Sequence, residues 1–186
     1  MKNLYQISML SLALALLLGA SACKKIKEAA QISIPLTTEE VAFTIPMIIS
    51  VGTQEIASVT FPINIDSIIK ANNVEFATKN IKSVNVNSCK LMLLDGDATD
   101  NFSALQDCAV RFTSNVNSSE IILAEITNNP DVASQELVIP VKSISYLSSY
   151  FKTNSFSYRI TGTTRKTTSK PLQCKARLSF TMKVGL

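Results

Sequence analysis

Apolar and polar residues alternate along much of this chain, and the alternation is clearest near its end. Seven apolar residues occupy every second position from Leu172 to Val184, with polar or charged residues between them. Successive side chains of a β-strand point to opposite faces, so the pattern predicts a strand with one buried and one solvated face. Residues 155–163 alternate in the same way, and we expect these two strands to form a hairpin across 163–171.

Similar segments recur from Ile32 onward, separated by breaks of Asn, Asp, Gly, Pro or Ser. This spacing predicts an all-β fold: a single antiparallel β-sandwich, immunoglobulin-like or similar, of about eight or nine strands with one or two short helices. The predicted helices are 65–72, capped by Asp66, and 145–152. The predicted strands are 32–36, 41–51, 55–64, 81–94, 106–114, 120–126, 136–143, 155–163 and 172–184.

The first 22 residues have the parts of a secretory leader. Lys2 gives a positive start, Met9 to Ala20 is an uncharged and mostly apolar run, and small residues stand just before Cys23. The apolar run is shorter than the roughly 20 residues that a membrane-spanning helix needs. We therefore interpret residues 1–22 as a signal peptide that is removed.

The box Ala20-Ser21-Ala22-Cys23 resembles that of bacterial lipoprotein precursors. In that family the cysteine after a small-residue box is acylated and becomes the new N-terminus, which implies that Cys23 carries the lipid. The resemblance covers residues 1–27 and departs from the family at Ala20, where Leu is usual. The same box is also an A-x-A site for the ordinary signal peptidase, which would leave Cys23 as a free thiol.

The remaining chain divides into a tether, residues 23–30, and one domain, residues 31–186, which is long enough for a two-layer core. Lys24, Lys25 and Lys27 lie close enough to a membrane surface to attract anionic headgroups. In lipoproteins exported to the cell surface the residues after the cysteine tend to be acidic. The basic tether therefore predicts an outer-membrane anchor with the domain facing the periplasm.

Composition argues against several functions. The formal net charge of +4 is small and dispersed, and no DNA- or RNA-binding motif is present, so we expect no nucleic-acid partner. The chain has no histidine and only five glycines, so the usual general base, metal ligand and phosphate-binding loop are missing. We expect no enzyme activity, metal or cofactor, although a hydrolase built on two carboxylates stays open as an alternative.

Three local features each have two interpretations. Cys89 and Cys108 are equidistant from the middle of a predicted hairpin tip and would form a cross-strand disulfide, with Cys108–Cys174 as the rival pairing. The tip at 95–101 carries Asp95, Asp97 and Asp100 and is either a calcium loop or, as we favour, an ordinary β-turn. Five aromatic residues close together form either a stacking platform or, as we favour, part of the core: Tyr146, Tyr150, Phe151, Phe156 and Tyr158.

The predicted C-terminal hairpin places Arg159 near Lys175 and Arg177, with Lys183 farther along, and no acid occurs between Lys142 and Leu186. Like charges opposite each other are destabilising, so this face either binds an anionic envelope component or is a solvated face that protects a sheet edge. The function expected is that of a membrane-anchored, non-catalytic binding or scaffold module. The alternative is a carrier of a lipid or another hydrophobic ligand.

Overall fold

The computed structural model describes residues 31–38 and 40–186, and the predicted leader, the Cys23 box and the tether lie outside the described residues. The all-β prediction is confirmed, because nine strands of the described residues form two antiparallel sheets that pack face to face. The strands are β1 (Ile32–Thr37), β2 (Val41–Ile45), β3 (Gly52–Pro62), β4 (Ile81–Leu93), β5 (Leu105–Ser114), β6 (Asn117–Ile126), β7 (Glu136–Val138), β8 (Ser155–Thr164) and β9 (Leu172–Val184).

Sheet A is built around β9, which pairs with β1 and β2 along one edge and with β4 along the other, and β7 follows β4. Sheet B has the order β3-β8-β5-β6. In β8 and β9 every second side chain is buried, as the alternation predicts. The sequence pattern therefore identifies each described strand, but β2 and β7 end well before the predicted limits of 51 and 143.

Helix α1 (Ile65–Asn72) begins at Asn64, whose side chain accepts a hydrogen bond from the backbone N–H of Ser67. The predicted cap at Asp66 is wrong, because Asp66 lies in the first turn and binds Lys70 one turn later. The second predicted helix is the short 3-10 helix Leu147–Phe151. Two further 3-10 turns, Thr78–Asn80 and Phe102–Ala104, precede β4 and β5.

The predicted hairpin of β8 and β9 is wrong. β8 lies in sheet B and β9 in sheet A, so the connection 165–171 crosses from one sheet to the other. The connection 94–104 crosses in the same way between β4 and β5. A strand that buries one face alternates identically in either sheet, so the pattern does not reveal such a crossing.

Aromatic rings fill the space between the sheets near Phe112. Its ring lies 5.1–5.9 Å, between centroids, from those of Tyr150, Phe151, Phe156 and Tyr158. These four are buried, which confirms the core interpretation for them, whereas Tyr146 is exposed. The rings fill the core toward the end at which β5 ends and β8 begins.

The two ends of the sandwich differ in what they carry. The end at which β1 begins, here called the N-terminal pole, is formed by α1, segment 73–80, turn 115–116, segment 143–154 and Gly185–Leu186. The opposite pole is formed by the connections 46–51, 94–104, 127–135 and 165–171. The described chain therefore enters the domain at one pole, while the Asp-rich tip lies at the other.

Candidate functional site

A groove runs along one side of the sandwich, between the edge strand β2 of sheet A and the edge strand β3 of sheet B. β2 pairs only with β9 and β3 only with β8, so the facing edges of β2 and β3 share no ladder. The cavity along these edges has a volume of about 570 Å³. It is lined by Ala42, Phe43, Thr44, Pro46, Glu55, Ile56, Ala57, Ser58, Val59 and Thr60.

The groove continues toward the N-terminal pole as a second, more enclosed cavity of about 490 Å³. Its apolar walls come from β1, β2, the end of β3 and α1. Here the groove can hold an apolar group of moderate size. The lining residues are Leu36, Thr37, Thr38, Glu40, Val41, Phe61, Pro62, Ile63 and Ile68.

The other side of the sandwich is covered. After β7 the chain passes beside β6, where the N–H of Lys142 donates to the carbonyl of Leu123 and the N–H of Glu125 donates to that of Pro140. This agrees with the sequence, in which Ile121 to Ala124 is apolar on both faces. The open side at β2 and β3 is thus a distinct feature of the fold.

The predicted anion-binding face is not formed, because its members lie on different sheets. Arg159 points outward from sheet B, whereas Lys175, Arg177 and Lys183 point outward from sheet A. The two groups face solvent on opposite sides of the molecule. Arg159 therefore contributes to no common surface with the basic residues of β9.

Most of these cations are also neutralised by acids. The Nζ of Lys175 lies 2.9 Å from one carboxylate oxygen of Glu40, and Nη2 of Arg177 lies 2.6 Å from the other. The hydrogen bond from Lys175 lowers the pKa of Glu40, and the charges of both cations act in the same direction. Lys183 is exposed and forms no ion pair with an acid of the described chain.

The predicted disulfide between Cys89 and Cys108 is wrong, because both residues carry free thiols. Its premise also fails, since Cys89 lies on β4 in sheet A and Cys108 on β5 in sheet B. Cys174, the rival partner, is free and buried too. Burial raises the pKa of each of the three thiols to about 12, which keeps them protonated and weakly nucleophilic.

The Asp-rich tip uses its oxygens internally. Asp97 accepts from the backbone N–H groups of Thr99 and Asp100 at 2.8 Å. Asp100 accepts from Ser169, and Asp95 accepts from the backbone N–H of Gln173. These contacts agree with an ordinary turn that is held to the 165–171 connection.

Residues 31–38 and 40–186 contain neither a candidate metal-binding cluster nor a helix that could span a membrane. No group of three or more Asp, Glu, Cys or His side chains there is placed to hold a metal ion. No helix in the same residues is long and apolar enough to cross a membrane.

Comparisons with known proteins do not identify a family. No family model matches the chain, and no curated protein matches it. The VP2 protein of infectious bursal disease virus aligns at 11% identity and a TM-score of 0.40, over 83% of this chain and 32% of that one. A protein from Eubacterium rectale, provisionally described as secreted, aligns at 13% identity and a TM-score of 0.42, over 84% of this chain and 41% of that one. This chain thus spans about a third of the viral protein's length and two fifths of the bacterial protein's.

The groove is the site that the sequence did not predict. Phe43, Val59 and Phe61 read as ordinary inward-facing strand residues, yet they are only half-buried. Their exposure depends on which strands lie at the sheet edges, and that is a property of topology. The sequence signal that could have indicated the groove was the small inward side chain of Ala57 on the long strand β3.

Proposed function

We propose that this chain is a membrane-anchored lipoprotein of the bacterial cell envelope that works without catalysis, by binding an extended polypeptide segment in the groove between β2 and β3. The binding proposal rests on one observation: the edges of β2 and β3 that border the groove pair with no other strand of the described chain. The anchor rests on the leader and on the box that ends at Cys23. The proposed location is the outer membrane, with the domain in the periplasm.

An edge strand presents a row of backbone N–H and C=O groups that another strand can pair with. β3 offers 11 residues of such an edge, interrupted by one register shift between Glu55 and Ala57. Ala57, Val59 and Phe61 supply half-buried apolar contacts at every second position. A segment with apolar residues at alternate positions fits this arrangement, because its backbone pairs while its side chains enter the groove.

The charges of the groove favour a neutral or basic segment. Glu40 and Glu55 are the charged residues of the described lining. Lys175 and Arg177 neutralise Glu40, so Glu55 sets the charge of the groove. Glu55 is held loosely, since Nη1 of Arg159 lies 3.8 Å from its carboxylate oxygen. An acidic segment would meet like charge at this position.

Photo-crosslinking from Phe43 tests the binding proposal. We would place p-benzoylphenylalanine at Phe43 in the groove or, as the control, at the exposed Tyr146 outside it. After irradiation of intact cells we expect an adduct between position 43 and a peptide of an envelope protein. The same adduct should not form from position 146. The absence of any adduct at Phe43, or equal adducts at both positions, would contradict the proposal.

A second pair of variants tests whether the groove itself is used. Val59→Arg places a long cation in the groove, whereas Val138→Arg makes the same change on the exposed edge strand β7. We expect the first variant to abolish the Phe43 adduct and the second to leave it intact. Thermal unfolding of both variants shows whether the domain remains folded.

The enclosed end of the groove supports a second candidate, a carrier of a hydrophobic ligand. Leu36, Val41, Phe61, Ile63 and Ile68 give this end its apolar character. In the same crosslinking experiment, a lipid mass on Phe43 instead of a peptide would favour the carrier. Native mass spectrometry of the purified chain would then show the co-purified ligand.

The lipid anchor has a separate test. Mass spectrometry of the mature N-terminal peptide should show acyl chains on Cys23, and Cys23→Ser should release the protein from the membrane fraction. An unmodified Cys23 at the N-terminus of the mature protein would contradict the anchor and leave the groove proposal untouched.

A further inference from the structure

Ion pairing divides the basic residues of the domain into two groups. In the described chain ten ion pairs hold Lys70, Lys90, Lys142, Lys166, Lys170, Lys175, Arg111, Arg159 and Arg177. Arg165 donates instead to the carbonyls of Leu105 and Asn129. The lysines that form no ion pair with a described acid are Lys79, Lys82, Lys152 and Lys183.

These four lysines lie at the N-terminal pole. Lys79 is in the 3-10 turn before β4, and Lys82 is the second residue of β4. Lys183 is the next-to-last residue of β9, and its Cα partner on β4 is Ser83. Lys152 lies on the rim of a shallow surface hollow that Asp66, Thr78 and Val116 also line.

Few acids oppose them at this pole. Asp66 is bound by Lys70 at 2.6 Å and also accepts from the backbone N–H of Thr78. Glu75 is the second acid of the pole, in the segment between α1 and β4. The other described acids lie on the strands, between β1 and β2 or at the opposite pole, so the free positive charge is concentrated where the described chain enters the domain.

Exposed apolar side chains lie among these lysines. Val74 is 79% exposed beyond the end of α1, and Val116 is 55% exposed at the turn between β5 and β6. Tyr146 lies in the segment before the 3-10 helix of this pole and is also exposed. Exposed apolar side chains near lysines are suited to the headgroup region of a bilayer. There the lysines meet lipid phosphates and the apolar side chains reach the boundary of the acyl chains.

We infer that the N-terminal pole docks on a membrane surface that contains anionic phospholipid, with Val74 and Val116 at the contact. This inference rests on the proposed anchor, which would bring residue 31, and with it the pole, close to the bilayer. A lipid surface is favoured over an acidic polypeptide because the lysines come from separate segments of the pole, before β8, at the start of β4 and at the end of β9, and exposed apolar side chains share that pole. The docked domain would direct its opposite pole away from the membrane.

Vesicle binding of the mature chain, residues 23–186 with Cys23→Ser, tests the docking without the leader or an acyl chain, and the basic tether contributes equally to every variant compared. The probes are vesicles of phosphatidylethanolamine with and without phosphatidylglycerol. We expect binding only when phosphatidylglycerol is present, and weaker binding at higher salt. Changing Lys79, Lys82, Lys152 and Lys183 to Gln should weaken it roughly fivefold for each lysine replaced.

The matched control removes the same charge elsewhere. Lys90, Lys142, Lys166 and Lys170 form ion pairs on β4, beside β6 or at the opposite pole, and their change to Gln should leave vesicle binding within about twofold of the parent. Equal losses in both sets would overturn the inference, because net charge alone would then explain the binding. Binding to a lipid-free acidic polysaccharide without binding to vesicles would also overturn it.

The orientation can be read directly because the chain contains no tryptophan. Val116→Trp places a single fluorophore at the docking pole, and Val132→Trp places one at the opposite pole, where Val132 is also well exposed. We expect a blue shift and quenching by brominated lipid for Val116→Trp and neither change for Val132→Trp. The reverse result, or the same response from both, would contradict the proposed orientation whether or not Cys23 is acylated in cells.

Discussion

Arg111 and Arg159 lie directly opposite each other on the neighbouring strands β5 and β8. Two cations in this position repel, and the repulsion is relieved by Glu120 on β6. Nε and Nη2 of Arg159 donate to the two carboxylate oxygens of Glu120 at 2.7 and 2.5 Å, and Nη1 of Arg111 donates at 3.2 Å. One acid thus holds two arginines in place on the outer face of sheet B.

This arrangement predicts a stability that depends on pH. The hydrogen bond from Arg159, together with the charges of both arginines, lowers the pKa of Glu120. A depressed carboxyl pKa contributes stability that is fully present above the ordinary value of about 4.3 and is lost as the pH falls through the lower folded-state value. We expect Glu120→Gln to lower the free energy of unfolding by about 1 kcal/mol at pH 7 and to flatten the acid limb of the stability curve.

Urea unfolding of the parent and of Glu120→Gln at a series of pH values measures this effect. Glu75→Gln is the control, because Glu75 forms no ion pair with a described base. If the parent and Glu120→Gln lose stability in parallel below pH 5, the ion pairs of Glu120 with Arg111 and Arg159 do not stabilise the fold as described.

The hydroxyl of Tyr158 is buried and has no hydrogen-bond partner in the described chain, whereas that of Tyr150 donates to the carbonyl of Ser119 at 2.8 Å. An unpaired buried hydroxyl is costly, and its removal leaves the ring packing intact. We expect Tyr158→Phe to raise the free energy of unfolding by about 1 kcal/mol and Tyr150→Phe to lower it by about the same amount. Thermal unfolding of the two variants should give melting temperatures that move in opposite directions, and a shift in the same direction would contradict this account.

The three buried thiols should be unreactive while the domain is folded. Cys89, Cys108 and Cys174 are protected by burial and by their raised pKa values, so iodoacetamide at pH 8 should modify them only after denaturation. Val116→Cys supplies an exposed thiol as the control, and it should react at once. A disulfide found by peptide mapping of the denatured, unreduced protein would contradict the free-thiol structure.

Gly162 on β8 has a close neighbour that excludes a side chain. A Cβ atom at this position would lie 2.8 Å from the carbonyl oxygen of Asp107 and 3.4 Å from Cγ1 of Ile56. The carbonyl belongs to the neighbouring strand and has little room to move, so Gly162→Ala should lower the free energy of unfolding by about 1–3 kcal/mol. Thr113→Ala on the outer face of β5 should change it by about 0.5 kcal/mol or less, and equal effects of the two substitutions would contradict the steric argument.

The sequence predicts the strands well because each strand of a sandwich has one face in the core. The alternation in 155–163 and 172–184 reports burial directly, and the structure places these strands within a residue of the predicted bounds. Alternation contains no information about which sheet a strand joins. The connections 94–104 and 165–171 could either turn back within one sheet or cross to the other, and both in fact cross.

Two of the site predictions fail for the same reason. Pairing Cys89 with Cys108 and grouping Arg159 with Lys175 both assume hairpins that do not form. The acids that neutralise these cations are also distant in sequence: Glu40 precedes β2 and Glu120 lies on β6. A segment that contains no acid can therefore still be neutralised by acids from distant parts of the chain.

The central position of β9 has a consequence for the order of folding. β9 follows all the other described strands in the chain, yet β1, β2 and β4 all pair with it, and Thr38 meets Leu178 across 140 positions of chain. Sheet A therefore cannot assemble until β9 has been translated, and contacts of such long range make folding slow. For a chain that is threaded through a membrane N-terminus first, as the proposed leader requires, this delay keeps the polypeptide in the unfolded state that a translocation channel can accept.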